Sequence, residues 1–208
     1  MGDRGEKGLL IVFEGIDGTG KSTQLRLLAD HLRRRRLPLL VTREPSDGPI
    51  GRRIRQLFSR RHELSRQQEL KLFLDDRREH VEQVIAPALA AGQIVLCDRY
   101  YYSTAAYQGA AGGDPETILR LNGFAPRPDL VLLLELSPRE AVRRIRQVRG
   151  DTPNDFEQLD HLEKVYRIFA AFDDDRIRRI NGNGPIAEVQ ATVREEVDSL
   201  LRAERGDR

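Results

Sequence analysis

The stretch FEGIDGTGKST, residues 13–23, follows directly on the apolar run Leu9 to Val12 and restricts this chain more than any other. Its spacing, Gly15, four residues, Gly20, Lys21, Ser22, is that of a phosphate loop. Glycines there let successive backbone N–H groups converge on a phosphate, and the helix that follows offers its positive N-terminal end. The strand signal before the loop and the helical period of Leu25, Leu28 and Leu32 after it supply the context that the pattern needs. Gly15, Ile16, Asp17, Gly18, Thr19, Gly20, Lys21, Ser22 and Thr23 are therefore expected to hold a nucleoside triphosphate. Lys21 is expected to reach the outer phosphates and Ser22 to ligate Mg²⁺.

Behind this loop, short apolar runs alternate with longer segments of helical period. Leu9 to Phe13, Leu39 to Val41, Ile94 to Cys97, Leu130 to Leu136 and, more weakly, Arg176 to Ile180 read as strands. Such alternation implies crossover connections and a parallel sheet covered by helices on both faces, with ligands at the carboxyl ends of its strands. A long helix is expected from about Arg66 to Ala91, with Pro87 marking a kink or an early end. Ser137-Pro138-Arg139-Glu140 starts a helix with a capping box, whereas the polar span Arg146 to Phe156 reads as a loop between helices. Asn181-Gly182-Asn183-Gly184-Pro185 reads as a turn before a final amphipathic helix. The tails, 1–7 and 204–208, are expected to fray, and no linker divides the single domain over 1–208.

Charge excludes one class of function and weakens another. With a formal net charge of +2 the chain is no polybasic nucleic-acid binder, although its arginines cluster. The run Arg33 to Arg36 closes the first helix, where cations oppose the negative helix end. The single cysteine, Cys97, excludes an intramolecular disulfide, and four histidines with one cysteine offer no metal cage at these spacings. No apolar stretch approaches the ~20 residues that cross a bilayer, and MGDRGEKG has no signal-peptide core. A cytoplasmic location without membrane partners is expected.

Four stretches fall where a parallel sheet gathers ligands. Arg43-Glu44-Pro45 follows the second strand and Asp98-Arg99-Tyr100 the third. Phe73 and Arg77 share one face of the long helix at i, i+4, and the polar loop region carries Arg144, Arg146 and Arg149. Each also has a plain reading: Arg43 and Glu44 as a surface ion pair, Phe73 as core, the arginines as solvated surface. Asp98 is the strongest, because a carboxylate at the end of an apolar strand is costly to bury unless it faces Mg²⁺ or a cation. The arginines match the need of phosphoryl transfer for cations that close over developing charge. The Asn-Lys-x-Asp signature of guanine specificity is missing, which argues against a GTPase switch.

Taken in order, FEGIDGTGKST, REP, LFLDDR, DRYYYSTAAYQG, RPDLVLLLELSP and RRIRQVRG closely resemble the thymidylate kinase family, whose members phosphorylate dTMP to dTDP with MgATP. The resemblance runs from Leu9 to about Leu200 and is greatest to bacterial members. It implies the α/β nucleoside monophosphate kinase fold, a five-stranded parallel sheet flanked by helices on both faces, with a short mobile lid about 143–157. It further implies that Phe73 stacks on thymine, that Arg77 bonds its exocyclic oxygen, and that Thr104 and Gln108 meet the base edge. Tyr107 is to lie against the deoxyribose, Arg99 and Arg55 are to hold the dTMP phosphate, and Asp17 is to approach the 3′-hydroxyl. Glu44 or Asp98 is to organise Mg²⁺ and its water. Lys21, Arg99, Asp17 and the lid arginines would supply the catalysis, and a homodimer joined through helices that include the Arg66 to Ala91 segment would be the assembly.

This chain departs from the family pattern at three places. Its phosphate loop reads Asp17-Gly18-Thr19, without the arginine of one branch, so the charge is expected from Arg144, Arg146 or Arg149; Arg149 stands out because it adjoins Gly150, a hinge candidate. Ser46-Asp47-Gly48 replaces the common Gly-Gly after Arg-Glu-Pro, and Asn154-Asp155-Phe156-Glu157 lacks the arginine of Asp-Arg-x-Glu. Two alternatives stay open at this point: a kinase for another pyrimidine monophosphate (dUMP, UMP or CMP), and a phosphate-loop ATPase that binds nucleic acid through its arginine clusters.

Overall fold

A computed structural model describes residues 8–58, 63–149 and 159–206. Its centre is the run LLIVFE, β1 (Leu9–Glu14), in which all six side chains are buried. Burial on both sides of a strand requires neighbours on both edges and helices on both faces. β2 (Leu39–Arg43), β3 (Ile94–Asp98), β4 (Leu130–Glu135) and β5 (Ile177–Asn181) provide the edges, all parallel, in the order β2-β3-β1-β4-β5. The expected five-stranded parallel α/β sheet is therefore observed.

The pleat of β1 divides the core in two. Leu10 and Val12 join Val95, Cys97, Val131 and Leu133 on one face, beneath α5 (Tyr101–Ala110) and α8 (Leu159–Ala171). Leu9, Ile11 and Phe13 join Leu96, Leu132 and Leu134 on the other, beneath α1 (Lys21–Arg34) and α9 (Ile186–Gly206). The remaining helices are α2 (Pro49–Leu57), α3 (Arg66–His80), α4 (Ala86–Ala90), α6 (Pro115–Leu121) and α7 (Pro138–Arg149). Among the described residues no helix is long and apolar enough to cross a membrane.

Three expectations need correction. The long helix from Arg66 is divided: α3, opened by a Ser65–Gln68 capping box, passes through a π-helical turn, Val81–Ile85, into α4. Pro87 explains it, since its ring would meet the carbonyl four residues back in a straight α-helix; the wider turn, with Ala86 N–H bonded to Val81 O, relieves that clash. Arg146 to Arg149, expected in a loop, continue α7. The polarity that reads as a loop is the outer face of an amphipathic helix whose Val142 and Ile145 are buried and whose Arg143 and Arg144 pair with Glu140. The remainder of the expected lid, 150–157, lies outside the described residues. At the other end α9 runs to Gly206, so residues 204–206 are helical rather than frayed.

Candidate active site

Strand register brings the sequence candidates together. Asp98 stands abreast of Phe13 on β1 and of Arg43 on β2, so the phosphate loop, the Glu44-Pro45 segment and Arg99 all leave the sheet at the same edge. A cleft of about 670 Å³ opens there, lined by the loop from Asp17 to Gln24, by Arg43, Glu44, Asp98 and Arg99, and by Arg144 and Gln147 of α7. It is also lined by Gly182, Gly184 and Pro185, which the sequence marked only as a turn, and by Ile186 at the start of α9. The rule that ligands collect after parallel strands would have found them, since they follow β5 directly.

The phosphate loop needs its glycines. Gly15 sits at φ +133°, and a Cβ there would lie 2.4 Å from Leu134 O. Gly18, at φ +83°, packs against the backbone of Ala141 in α7. Lys21 reaches back from the first turn of α1 to donate to Ile16 O at 2.8 Å. Burial, with the Arg99 charge, pulls its ammonium down to about 8, against the opposing pull of Asp17, Asp98 and Glu14. At neutral pH Lys21 is thus still a cation. The next residue, Ser22, donates its hydroxyl to Asp98 Oδ2.

Arg99 is the hub of a polar cluster beside the phosphate loop. Its backbone is left-handed at φ +70°, with its N–H bonded to Phe13 O at 2.9 Å. Its Nη1 donates to Gly15 O (3.2 Å) and Ser103 Oγ (2.8 Å), and its Nη2 to Asp17 Oδ1 (2.5 Å). Tyr107 closes the group: its hydroxyl donates to Asp17 Oδ2 at 2.9 Å and accepts the Asp17 N–H at 3.2 Å. Burial pushes the Asp17 carboxyl up, but Arg99, Lys21 and the Tyr107 hydrogen bond outweigh it and hold the group well below the usual carboxylate range. Asp17 therefore stays ionised.

A second network lies deeper. Arg77 is 1% exposed, and it donates Nε and Nη2 to Glu44 Oε2 (2.9 and 2.5 Å), Nη1 to Asn122 Oδ1 (2.5 Å), and Nη2 to Thr104 Oγ1 (3.0 Å). The other Glu44 oxygen meets His80 Nδ1 at 3.1 Å, and His80 Nε2 meets Thr42 Oγ1 at 2.7 Å. Glu44, expected to help organise magnesium, thus has both oxygens engaged with Arg77 and His80. Of the five N–H donors of a guanidinium, four of Arg77's are taken, which leaves one Nη1–H. Gln108 is buried beside this region on α5, and Phe73 is half-buried one turn before Arg77.

Arg55 is engaged by its own loop, donating to Pro45 O (2.5 Å), Ser46 O (2.7 Å) and Asp47 Oδ1 (3.1 Å). Asp47 Oδ1 also accepts from Arg43 Nη2 at 2.7 Å. On α7, Arg144 lines the cleft while Arg146 is exposed; Arg149 ends the described helix backbone.

The arrangement is a phosphate loop joined to a second, buried polar network, and comparison with known proteins gives its family. The family model for thymidylate kinase matches residues 13–193. The chain belongs to the thymidylate kinase family. A protein of Desulfotalea psychrophila named Thymidylate kinase is 52% identical over 195 residues, covering 94% of this chain and 96% of its own. One from Xanthomonas campestris pv. campestris (strain B100) with the same name is 53% identical over 164 residues, 79% of this chain and 71% of its own. Its counterpart in Xanthomonas euvesicatoria pv. vesicatoria is 50% identical over 166 residues.

Against a thymidylate kinase background, the residues that sequence reasoning missed are Glu14, His80, Ser103 and Asn122, all buried. Glu14 was within reach: it too is a carboxylate closing an apolar strand, the property that marked Asp98. His80 was also within reach, three residues beyond Arg77 on the same helix face. Asn122 carries no sequence signal, because its meeting with Arg77 depends on how α6 packs.

Proposed function

We propose that this thymidylate kinase family member transfers the γ-phosphoryl group of MgATP to the 5′-phosphate of dTMP, giving ADP and dTDP. One observation carries the reading: Asp17 belongs at once to the phosphate loop and to the Arg99–Tyr107 cluster, so donor and acceptor sites are joined by a single ionised side chain. Phosphoryl transfer asks the protein mainly to align two phosphates and neutralise charge between them. The loop amides and Lys21 would hold the ATP phosphates; Arg99, with Arg55, would hold the dTMP phosphate; Tyr107 and Asp17 would face the sugar. Phe73 would stack on thymine, while Thr104, Gln108 and the remaining Nη1–H of Arg77 would meet the base edge.

For magnesium the fit is with oxygen donors. Among the described residues no group of three or more His, Cys, Asp or Glu is placed to hold a metal. The Ser22 hydroxyl and the Asp98 carboxylate nevertheless meet at the mouth of the loop, a hard oxygen set that suits Mg²⁺ completed by phosphates and water. Such an ion, when bound, offsets phosphate charge. Arg144, Arg146 and Arg149 are assigned to charge stabilisation over the transferring group, and Arg144 already lines the cleft. A homodimer and a cytoplasmic location complete the proposal.

The test is a coupled nucleoside-diphosphate assay with MgATP against dTMP, dUMP, UMP, CMP, AMP and no acceptor. Turnover concentrated on dTMP with weaker dUMP activity supports the reading, since one methyl discriminates by only ~1–3 kcal/mol. ATP hydrolysis independent of acceptor overturns it.

A further inference from the structure

Glu14 closes β1 with a side chain that is 0% exposed, and neither substrate contact set includes it. Its Oε1 accepts the N–H of Tyr100 (2.9 Å) and of Ser103 (3.2 Å), at the N-terminal end of α5; its Oε2 accepts the Ser103 hydroxyl at 2.5 Å. Burying a carboxylate here is costly, and its pKa is pushed up to about 7 by desolvation despite the Ser103 bonds and the Arg99 charge. A chain that only needed to cap α5 could do so with a neutral hydroxyl or amide.

What the carboxylate adds is direction. A serine hydroxyl has one proton and two lone pairs, and its rotor presents whichever suits its surroundings. With the Ser103 proton drawn to Glu14, a lone pair is left to accept Arg99 Nη1 at 2.8 Å. The backbone tells the same story, for Arg99 N–H bonds Phe13 O and Tyr100 N–H bonds Glu14, so the last two residues of β1 fasten both amides around the left-handed Arg99. We propose that Glu14 is a positioning residue which, through the Ser103 hydroxyl and the amides flanking Arg99, sets the Arg99 guanidinium against the acceptor phosphate. The proposal rests on the reading of Arg99 as a dTMP-phosphate ligand.

Wild type, Glu14→Gln, Ser103→Ala, Ser103→Thr and the Glu14→Gln/Ser103→Ala double variant are compared in steady-state kinetics with dTMP and ATP varied separately, with thermal melts as a control for folding. Glu14→Gln and Ser103→Ala should each lower kcat/KM for dTMP by about ten-fold or more, as small misplacements of a substrate clamp do, with the KM for ATP changed by less than roughly two-fold. Ser103→Thr keeps the hydroxyl and should retain most activity. The double variant should be no worse than the poorer single one, because both act on one pathway. Additive losses, equal effects on both substrates, or unchanged kinetics in the single variants would overturn the inference; were Glu14→Gln to misfold, the Ser103→Ala and Ser103→Thr pair decides. A wild type inactive on dTMP overturns the proposed function and this inference with it, whereas an active wild type with indifferent variants overturns only the inference.

Discussion

Arg77 and Glu44 form an ion pair that is 1% and 6% exposed, and the consequence of breaking it follows from that burial. With Glu44 replaced by leucine, the guanidinium keeps Asn122 and Thr104 but loses the one carboxylate partner it has among the described residues, and His80 loses the Glu44 oxygen. An uncompensated buried charge of this kind costs about 3–5 kcal/mol. In a chain of this size each kcal/mol moves the melting temperature by roughly 2–4 °C, so Glu44→Leu should melt about 6–20 °C below wild type. Arg77→Met should be destabilised comparably, because among the described residues it leaves the carboxylate with His80 alone. The informative member of the cycle is the double variant Glu44→Leu/Arg77→Met, which removes both charges and needs neither partner. It should be more stable than either single variant, as apolar replacements of buried pairs often are. Urea unfolding of the four proteins followed by circular dichroism measures all terms. Destabilisations that simply add in the double variant would refute the argument that each charge is held in place by the other.

Three further perturbations have definite signs. The Glu14 carboxyl is raised from an ordinary 4.5 to about 7 in the folded chain, so the folded state holds this proton more tightly than the unfolded one. Its stabilising contribution is complete below about pH 4.5 and is lost as pH rises through about 7, a swing of up to about 3 kcal/mol. The unfolding free energy of wild type minus that of Glu14→Gln should therefore fall between pH 5 and 8, and a level difference would refute it. Gly15→Ala forces a Cβ to 2.4 Å from Leu134 O at φ +133°, which should cost at least about 1–3 kcal/mol and raise the KM for ATP; unchanged melting and ATP affinity would contradict the strain. Asp47 is exposed and shares Arg55 with the proposed acceptor phosphate, so Asp47→Asn should change stability by no more than about 0.5 kcal/mol while lowering the KM for dTMP. A higher KM would mean that Asp47 orients Arg55 instead of competing for it.

The sheet was legible because five apolar runs, separated by helical periods, leave few ways to bury strands on both faces. The phosphate loop was legible because its glycines answer to backbone geometry alone. The ends of α7 and the break before α4 were less so. Charged residues on an amphipathic helix look like a polar loop until the buried Val142 and Ile145 are seen, and a proline inside a helix can be accommodated by a kink, a stop or a π-turn that packing selects. At the site, residues next to strand ends could be named from sequence, but their partners could not. That the Glu44 carboxylate pairs with Arg77 and His80 depends on how α3 lies against β2 and α5. Neither segment's own pattern specifies that packing.

The internal partners of the site cations divide them by task. Lys21 is held by a carbonyl, and Arg99 by a carbonyl, a hydroxyl and the Asp17 carboxylate. Arg55 is held by two carbonyls and by one carboxylate oxygen of an exposed aspartate. Neutral acceptors fix a cation's direction without cancelling its charge, and at the mouth of the phosphate loop Lys21 and Arg99 stand oriented within a group that the carboxylates of Asp17 and Asp98 balance. Arg77 is different in its burial: Glu44 takes two of its N–H groups, and Asn122 and Thr104 take two more. A pocket with zero net charge and one remaining N–H suits an uncharged base with a carbonyl oxygen at its edge. Cations oriented before any ligand arrives, at the open end of the loop, suit phosphates that must be brought together against their own repulsion. What separates the two arginines is where the fold leaves them, since each has a carboxylate partner: Arg77 is 1% exposed with one N–H remaining, whereas Arg99 lines the open cleft.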